Sequence, residues 1–389
     1  MDPIVIIGAG MAAYSLAREF RKLDKSTPLI LVSSDAGGAY AKPMLSNAFA
    51  LGKGAPQLVS ASAGQMAATL SAQVLANTRV HAIDRDARAI ETGAGRIAYG
   101  KLVLALGADP IRLPLGGDAA SDVISVNHID DYAVLRGRLA AVGPAARVAI
   151  LGAGLIGCEF ADDLVAGGHA VTLVDPNPRP LAALAAPVLS EALVQAWARH
   201  PIALRLGTSA SRVDHHADAL RITLADGSVV DADIVLSAVG LRPSVALAQQ
   251  ARLATGRGIL VDGYGQTSAP DIYALGDCAE YTGAGTSAVL PYVAPMLAAA
   301  RAIAATLAGT PTRIELKTDA VIVKTASCRL ALAPPPLGVM GEWTHQPDGE
   351  RIVARFHDQY GVLRGFGMTD HTPTLRQSML AALGTSAGA

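Results

Sequence analysis

Two glycine-rich stretches carry the most specific chemistry in the sequence. Gly8-Ala9-Gly10-Met11-Ala12-Ala13 and Gly152-Ala153-Gly154-Leu155-Ile156-Gly157 each follow a β-branched run and open an amphipathic one. In that setting the first glycine makes a tight turn and the second lets backbone reach a pyrophosphate. The third position, Ala13 or Gly157, lets helix pack on strand. The helix start, at Met11 in the first copy, then turns free N–H groups and the positive end of its dipole toward the phosphates. The second stretch is followed by Asp175, where a carboxylate would accept hydrogen bonds from an adenosine ribose and repel a 2′-phosphate. NADH is therefore expected over NADPH, with Arg179 as the counter-argument, and a plain solvated strand end as the alternative for Asp175. After the first stretch the equivalent position is Ser33, followed by Ser34 and Asp35, so hydroxyls, backbone or a returning Asp35 would hold a ribose there.

The elements that must position these residues occur twice. Residues 4–20 and 148–164 share the order strand, glycine turn, amphipathic run, and each leads to a further apolar strand, at 29–33 and 171–175. KLVLALGADP at 101–110 is matched by IVLSAVGLRP at 234–243, placing Gly107 over Gly240 and Pro110 over Pro243. Strands alternating with helical patterns predict an α/β chain with two Rossmann-like parallel sheets, which bind ligands beyond the carboxyl ends of their strands. The first unit resumes after the second, with a strand at 258–262, the segment DIYALGDCAE and an Ala-rich helix. Beyond Gly309, Thr310 and Pro311 the character changes to short strands, a triple proline and aromatics such as Trp343 and Phe356. The expected organisation is residues 1–112 with 241–313, residues 113–240, and a small α+β domain at 314–389.

Composition limits the partners. The chain has 389 residues, 51% hydrophobic but only 4% aromatic, 17% charged, and a formal net charge of -1. Small apolar residues suit helix-on-sheet packing, and no global basic footprint addresses nucleic acid. Mean hydropathy is +0.35, yet the apolar stretches are interrupted before the roughly 18 residues a membrane span requires; the stretch 292–307 carries Pro295 and Arg301. Residues 4–17 look superficially like a signal peptide but lack preceding basic residues, so they are read as folded structure, which implies a cytoplasmic chain without membrane insertion. Cys158, Cys278 and Cys328 form neither C-x-x-C nor metal-ligand spacing. His215-His216 is read as a solvated turn, and no metal site is expected.

VIIGAG, YAKPMLS, LVLALGADP, ILGAGLIGCE, LSAVGLRP and IYALGDCAE together resemble the FAD/NAD(P)H-dependent pyridine nucleotide-disulfide oxidoreductase superfamily along nearly the whole chain. YAKPMLS, VKTASC and the proline-containing tail are most similar to the rubredoxin-NAD reductases, with flavorubredoxin reductases close behind. The resemblance implies glutathione-reductase-type nucleotide-binding domains: FAD on residues 1–112 and 241–313, NADH on 113–240, and an interface domain at 314–389. On the FAD side it implies Gly8, Gly10, Met11, Ala13, Ser33 and Ser34, with Asp277 near the ribityl and pyrophosphate region and the Val80 backbone at the adenine. Lys42 would lie beside flavin N5 and pair with Glu159, although a surface lysine and a surface helix acid are the ordinary readings of those two. Tyr292 and Val293 would precede a helix, from about Pro295 to Leu307, whose N-terminus points at flavin N1 and C2, and Lys324 would supply a second lysine near the isoalloxazine. The NADH side would use Gly152, Gly154, Gly157, Glu159, Asp175 and Gly240.

The implied acceptor follows partly from missing cysteines. Disulfide-reducing members of the superfamily keep a Cys-x4-Cys pair after the first ribose strand, and this chain has no cysteine before residue 148. Electrons would then leave the flavin directly, one at a time, to a transiently docked rubredoxin or related small iron–sulfur protein. Arg301, Arg313, Lys317, Lys324 and Arg329 would form a basic patch for an acidic partner, diluted by Glu315 and Asp319. The alternatives are a flavorubredoxin reductase, a [2Fe-2S] ferredoxin reductase, and a flavin-binding structural or signalling protein of the apoptosis-inducing-factor type.

Overall fold

The computed structural model describes residues 2–283, 286–349 and 351–386. Its contacts divide the chain into two units, one formed by Met1–Lys42, Gln57–Asp109 and Leu241–Lys317, the other by Pro43–Pro56, Pro110–Gly240 and Thr318–Ala389. Both contain a parallel sheet, and the α/β fold expected from the alternating patterns is what forms.

In the first unit the parallel sheet runs Ile272–Ala274, Lys101–Leu104, Ile4–Ile7, Leu29–Val32, Gln73–Leu75. Val5, Ile6 and Leu102–Leu104 are fully buried, as expected of parallel strands covered on both faces. The helices Met11–Leu23 and Val293–Leu307 pack on one another beside this sheet. Small side chains allow the close approach, with Ala13, Ala17, Ala299 and Ala300 all buried. Residues 4–17 are thus the central strand, its glycine turn and the start of its helix. A three-stranded antiparallel sheet, Val80–Asp84, Ala89–Thr92 and Gly95–Ala98, accompanies the parallel one. Ile259–Val261 forms the strand expected at 258–262.

The second unit repeats this plan. Its parallel sheet is Ile202–Leu206, Ala170–Asp175, Arg147–Leu151, Ile234–Ser237, followed by the antiparallel trio Ala210–His216, Ala219–Leu224, Val229–Ala232. The tail is an antiparallel five-stranded sheet with the helix Pro373–Ala382. Its core joins Ala331, Val353, Phe366 and Met368 to Met379 of that helix, the α+β character expected after residue 314. Gly367 also abuts Leu189 of the helix Pro187–Trp197, so the tail sheet packs within this unit.

Two local expectations need adjustment. The helix placed at about Pro295 begins at Val293, because a proline in the first helical turn lacks only an N–H that would have no partner there. His215-His216 ends a strand, and the turn comes one residue later at Ala217, whose φ is 51°. His215 sits between Asp118 and Asp122 at 3.3 and 2.9 Å. No group of His, Cys, Asp or Glu suited to a metal is present among the described residues. Nor is any described helix long and apolar enough to cross a membrane.

Candidate functional site

The two glycine loops have nearly the same geometry. Gly8 takes φ 119° and Gly152 φ 106°, and their N–H groups donate to Val32 and Val174 at 2.8 and 2.7 Å, tying each turn to the neighbouring strand. A side chain is excluded at both: a Cβ on Gly8 would strike the Ala105 carbonyl, and one on Gly152 would lie 2.6 Å from the Ala238 carbonyl oxygen. Gly10 and Gly154 then serve as helix N-caps, with φ/ψ of -78°/-172° and -76°/-169° and no side-chain cap. Nothing lies within 4 Å of a Cβ built on either. At the third position Ala13 is fully buried, and a Cβ on Gly157 would collide with the Gly152 carbonyl oxygen. Each loop therefore combines open space over its second glycine with uncapped helix N–H groups. That combination fits a dinucleotide pyrophosphate in both places.

In the first unit the parallel strands bring their carboxyl ends, and hence Gly8, Ser33 and Gly276-Asp277, to one edge. Gly276 takes φ 75°, and a Cβ on it would lie 3.0 Å from Ala12 Cβ and 3.9 Å from Met296. The glycine loop, Asp277 and the helix Val293–Leu307 are thereby gathered. The buried Tyr281 hydroxyl accepts from Gly276 N–H at 3.2 Å. Ser33 is buried and its hydroxyl donates to Asp35 at 2.7 Å, while Asp35 also accepts from Gly37 N–H at 2.7 Å. The Tyr14 hydroxyl closes the same turn by donating to the Gly37 carbonyl at 2.5 Å, and burial pushes its pKa up to about 12. Ser34 is exposed beside them. Val80 begins the antiparallel trio and packs partly on the core, and Val293 is the first helical residue after the N-cap Tyr292.

In the second unit Asp175 ends its strand next to the second glycine loop. It is nearly buried, and one carboxylate oxygen accepts from Ala153 N–H at 2.6 Å while the other accepts from the Asn177 backbone and side-chain amides at 2.8 Å each. Asp175 thus clamps the loop as well as marking the strand end. Gly240, with φ 113°, follows the strand Ile234–Ser237.

The helix Leu155–Ala166 that starts at the second loop carries three buried carboxylates. Glu159, 1% exposed, accepts from the Lys324 ammonium at 2.6 Å, from Lys324 N–H at 3.0 Å and from the Ser46 hydroxyl at 2.6 Å. Lys324 Nζ also donates to the Pro43 carbonyl at 2.5 Å and to Ser46 Oγ at 3.1 Å. Glu159 is buried while Lys324 is partly exposed, so removing the lysine would leave a buried, uncompensated carboxylate, at a cost of up to about 3–5 kcal/mol. Asp162 accepts from Trp197 Nε1 at 3.1 Å, Ala326 N–H at 2.5 Å, Ser327 N–H at 3.3 Å and the Ser327 hydroxyl. Asp163 accepts from the Phe49 and Ala50 amides at 3.1 and 2.8 Å, while burial raises its pKa against them. Sequence reasoning placed Glu159 and Lys324 in the site but missed Asp162 and Asp163. The partners of these two acids include backbone amides more than 100 positions away, which leave no residue-type signal. Within the basic set, Lys324 is committed to Glu159 and Arg313 lies over the Tyr264 ring at 5.4 Å. Lys42, the last residue of the first unit's opening segment, begins the 3-10 helix Lys42–Asn47.

Residues 2–304 match the family model described as pyridine nucleotide-disulphide oxidoreductase. The chain belongs to that family. Residues 313–383 of this family member match a second model, described as a rubredoxin binding C-terminal domain. The rubredoxin-NAD(+) reductases of Alcanivorax borkumensis and Acinetobacter baylyi are 44% and 41% identical to it, over 95% and 98% of both chains. A nitric oxide reductase FlRd-NAD(+) reductase of Aeromonas hydrophila is 39% identical over 96% of both. Among solved structures, the ferredoxin reductase for the CYP199A2 system of Rhodopseudomonas palustris superposes with a TM-score of 0.88 at 25% identity, covering 99% of this chain and 96% of that one. The protein is a rubredoxin-NAD(+) reductase-like oxidoreductase of the ferredoxin-reductase-like branch.

Proposed function

We propose that this protein is an FAD-containing oxidoreductase that takes electrons from NADH and passes them singly to a small iron–sulfur protein, with rubredoxin as the acceptor. The observation that carries this reading is the pair of uncapped, open glycine-loop helix starts, one at the carboxyl edge of each parallel sheet. The flavin, when bound, supplies the conversion from two-electron donor to one-electron acceptor. Residues 1–112 with 241–313 would hold FAD, residues 113–240 NADH, and 314–389 would face the acceptor.

The chain's own groups then have separate tasks. Gly8, Gly10, Met11 and Ala13 cradle the FAD pyrophosphate, Ser33 and Ser34 its adenosine ribose, Val80 its adenine and Asp277 its ribityl region. Val293, at the start of its helix, aims a positive dipole end at the flavin pyrimidine edge. Gly152, Gly154, Gly157, Asp175 and Gly240 hold NADH. Lys42 would stand at the reactive edge, and Lys324 would bring a second lysine there, with Glu159 as the counterion of Lys324. With FAD bound, these lysines would supply hydrogen-bond donors and positive charge at that edge, already in place before any electron transfer.

The thiols support direct exit of electrons. Burial pushes Cys278 and Cys328 each up to about 11 and Cys158 higher still, so thiolate, the reactive form, is scarce at neutral pH. The identity to a flavorubredoxin-type reductase favours one second reading, in which a flavorubredoxin is the acceptor. The deciding experiment compares NADH-driven reduction of rubredoxin, a flavorubredoxin's rubredoxin domain and a [2Fe-2S] ferredoxin by the FAD-loaded protein. Rapid reduction of rubredoxin is expected; slow reduction of all three would point to a flavin-binding protein without this activity.

A further inference from the structure

We propose that Asp162 is a positioning residue for Lys324, acting through the short segment that follows it. Asp162 lies one helical turn after Glu159, so the two carboxylates face the same stretch of chain. Glu159 holds both the Lys324 backbone N–H and its ammonium. Asp162 holds the next part of the segment, through the Ala326 and Ser327 amides and the Ser327 hydroxyl. Between these points Thr325 is fully buried and its hydroxyl donates to the Cys328 carbonyl at 2.5 Å. The backbone leading away from Lys324 is therefore fixed by an acid that never touches the lysine. Asp162 is in turn oriented by the indole N–H of Trp197, which is 1% exposed.

The consequence rests on the proposed placement of Lys324 near the flavin. Loss of the Asp162 anchor loosens residues 325–327, so Lys324 keeps its bonds to Glu159, Ser46 and the Pro43 carbonyl but loses the fixed backbone that follows it, and the ammonium no longer holds one position. The residue works by geometry: Asn at position 162 keeps the size but presents an amide where Trp197 and Ser327 both donate.

The test uses the FAD-loaded protein in a Trp343→Phe background, in which Trp197 is the sole tryptophan. Asp162→Asn, Lys324→Met and the double variant are compared by peptide-resolved amide exchange over 324–328, by Trp197 emission and by the rate of flavin reduction by NADH. Exchange is expected to accelerate about tenfold in Asp162→Asn, with a shifted Trp197 emission. Flavin reduction should slow about tenfold in each single variant, and the double variant should be no slower than Lys324→Met, the mark of one shared pathway. Should Asp162→Asn fail to fold, Ser327→Ala removes a single donor and is expected to give the same pattern in milder form. Multiplicative slowing in the double variant, or faster exchange with an unchanged reduction rate, would overturn the proposal. If the parent protein is not reduced by NADH at all, the functional reading fails instead, and unchanged exchange in Asp162→Asn would still refute the anchor.

Discussion

Replacing the first and second glycines of the second glycine loop, the proposed NADH site, separates folding from binding within three residues. In Gly152→Ala the new Cβ would lie 2.6 Å from the Ala238 carbonyl oxygen, at least 0.8 Å inside the 3.4 Å at which ordinary contact begins, and φ is 106°. A strained φ costs about 1–3 kcal/mol, and overpacking against rigid backbone costs about as much again. Together they predict a loss of roughly 2–6 kcal/mol, a large part of a typical domain's stability. In Gly154→Ala the Cβ meets nothing within 4 Å and the backbone is extended, with φ -76° and ψ -169°. The only folding penalty is the poorer N-cap, about 1 kcal/mol or less. That methyl, however, projects into the space left for the pyrophosphate, so NADH binding should weaken about tenfold or more, equivalent to about 1.4 kcal/mol. Denaturant unfolding of the unliganded protein and NADH titration of the folded protein measure the two effects. A Gly152→Ala variant as stable as the parent, or a Gly154→Ala variant that binds NADH with unchanged affinity, would refute this division between the two glycines.

Lys42→Met is expected to slow flavin reduction by NADH by about tenfold or more, with FAD retention unchanged, since only the charge at the reactive edge is lost; stopped-flow absorbance measures the rate, and an unchanged rate contradicts the proposed role. Burial, with Arg136 nearby, holds the His169 pKa below its ordinary 6.5. Its unfolded form therefore takes up protons first, and stability should fall as pH drops below about 6.5. His169→Gln should show a shallower loss than the parent in urea unfolding between pH 5 and 7, and parallel curves would dismiss the effect. If the basic residues steer an acidic acceptor as proposed, charge reversal at Arg301, Lys317 and Arg329 should slow its reduction at low salt and converge with the parent at high salt; equal rates at both ionic strengths would count against a role for these charges.

The parts of the site that depend on local pattern were legible from residue order alone. Gly8 and Gly152 are required by turns that exclude a Cβ, Ala13 and Gly157 by close packing, while Gly10 and Gly154 leave helix starts that no neighbouring atom fills. Each demand acts within a few positions, so it leaves a fixed spacing. The duplicated strands were readable for the same reason. Asp162 and Asp163 were not, because two adjacent acids on a helix ordinarily mark its solvent face. Here eight consecutive residues of that helix, from Gly157 to Leu164, are buried, and long-range donors compensate the charges. Nor could sequence tell that Asp175 clamps Ala153, since the same acid at the same spacing serves a ribose equally well. The grouping of residues 43–56 with the second unit is equally invisible locally; it follows from Asp163 and Glu159 gripping Phe49, Ala50 and Ser46.

The carboxylates on the helix Leu155–Ala166 also bear on how acceptor choice could be re-engineered. The tail looks like a detachable cassette, since it has its own sheet and its own family match. Yet deleting it, or splicing in a foreign tail that lacks equivalents of Lys324, Ala326 and Ser327, would strand Glu159 and Asp162 with most of their donors gone. A successful chimera must therefore carry the VKTAS segment across with its recipient helix, or neutralise both acids at the seam. The transplantable piece is the tail together with the surface it locks onto.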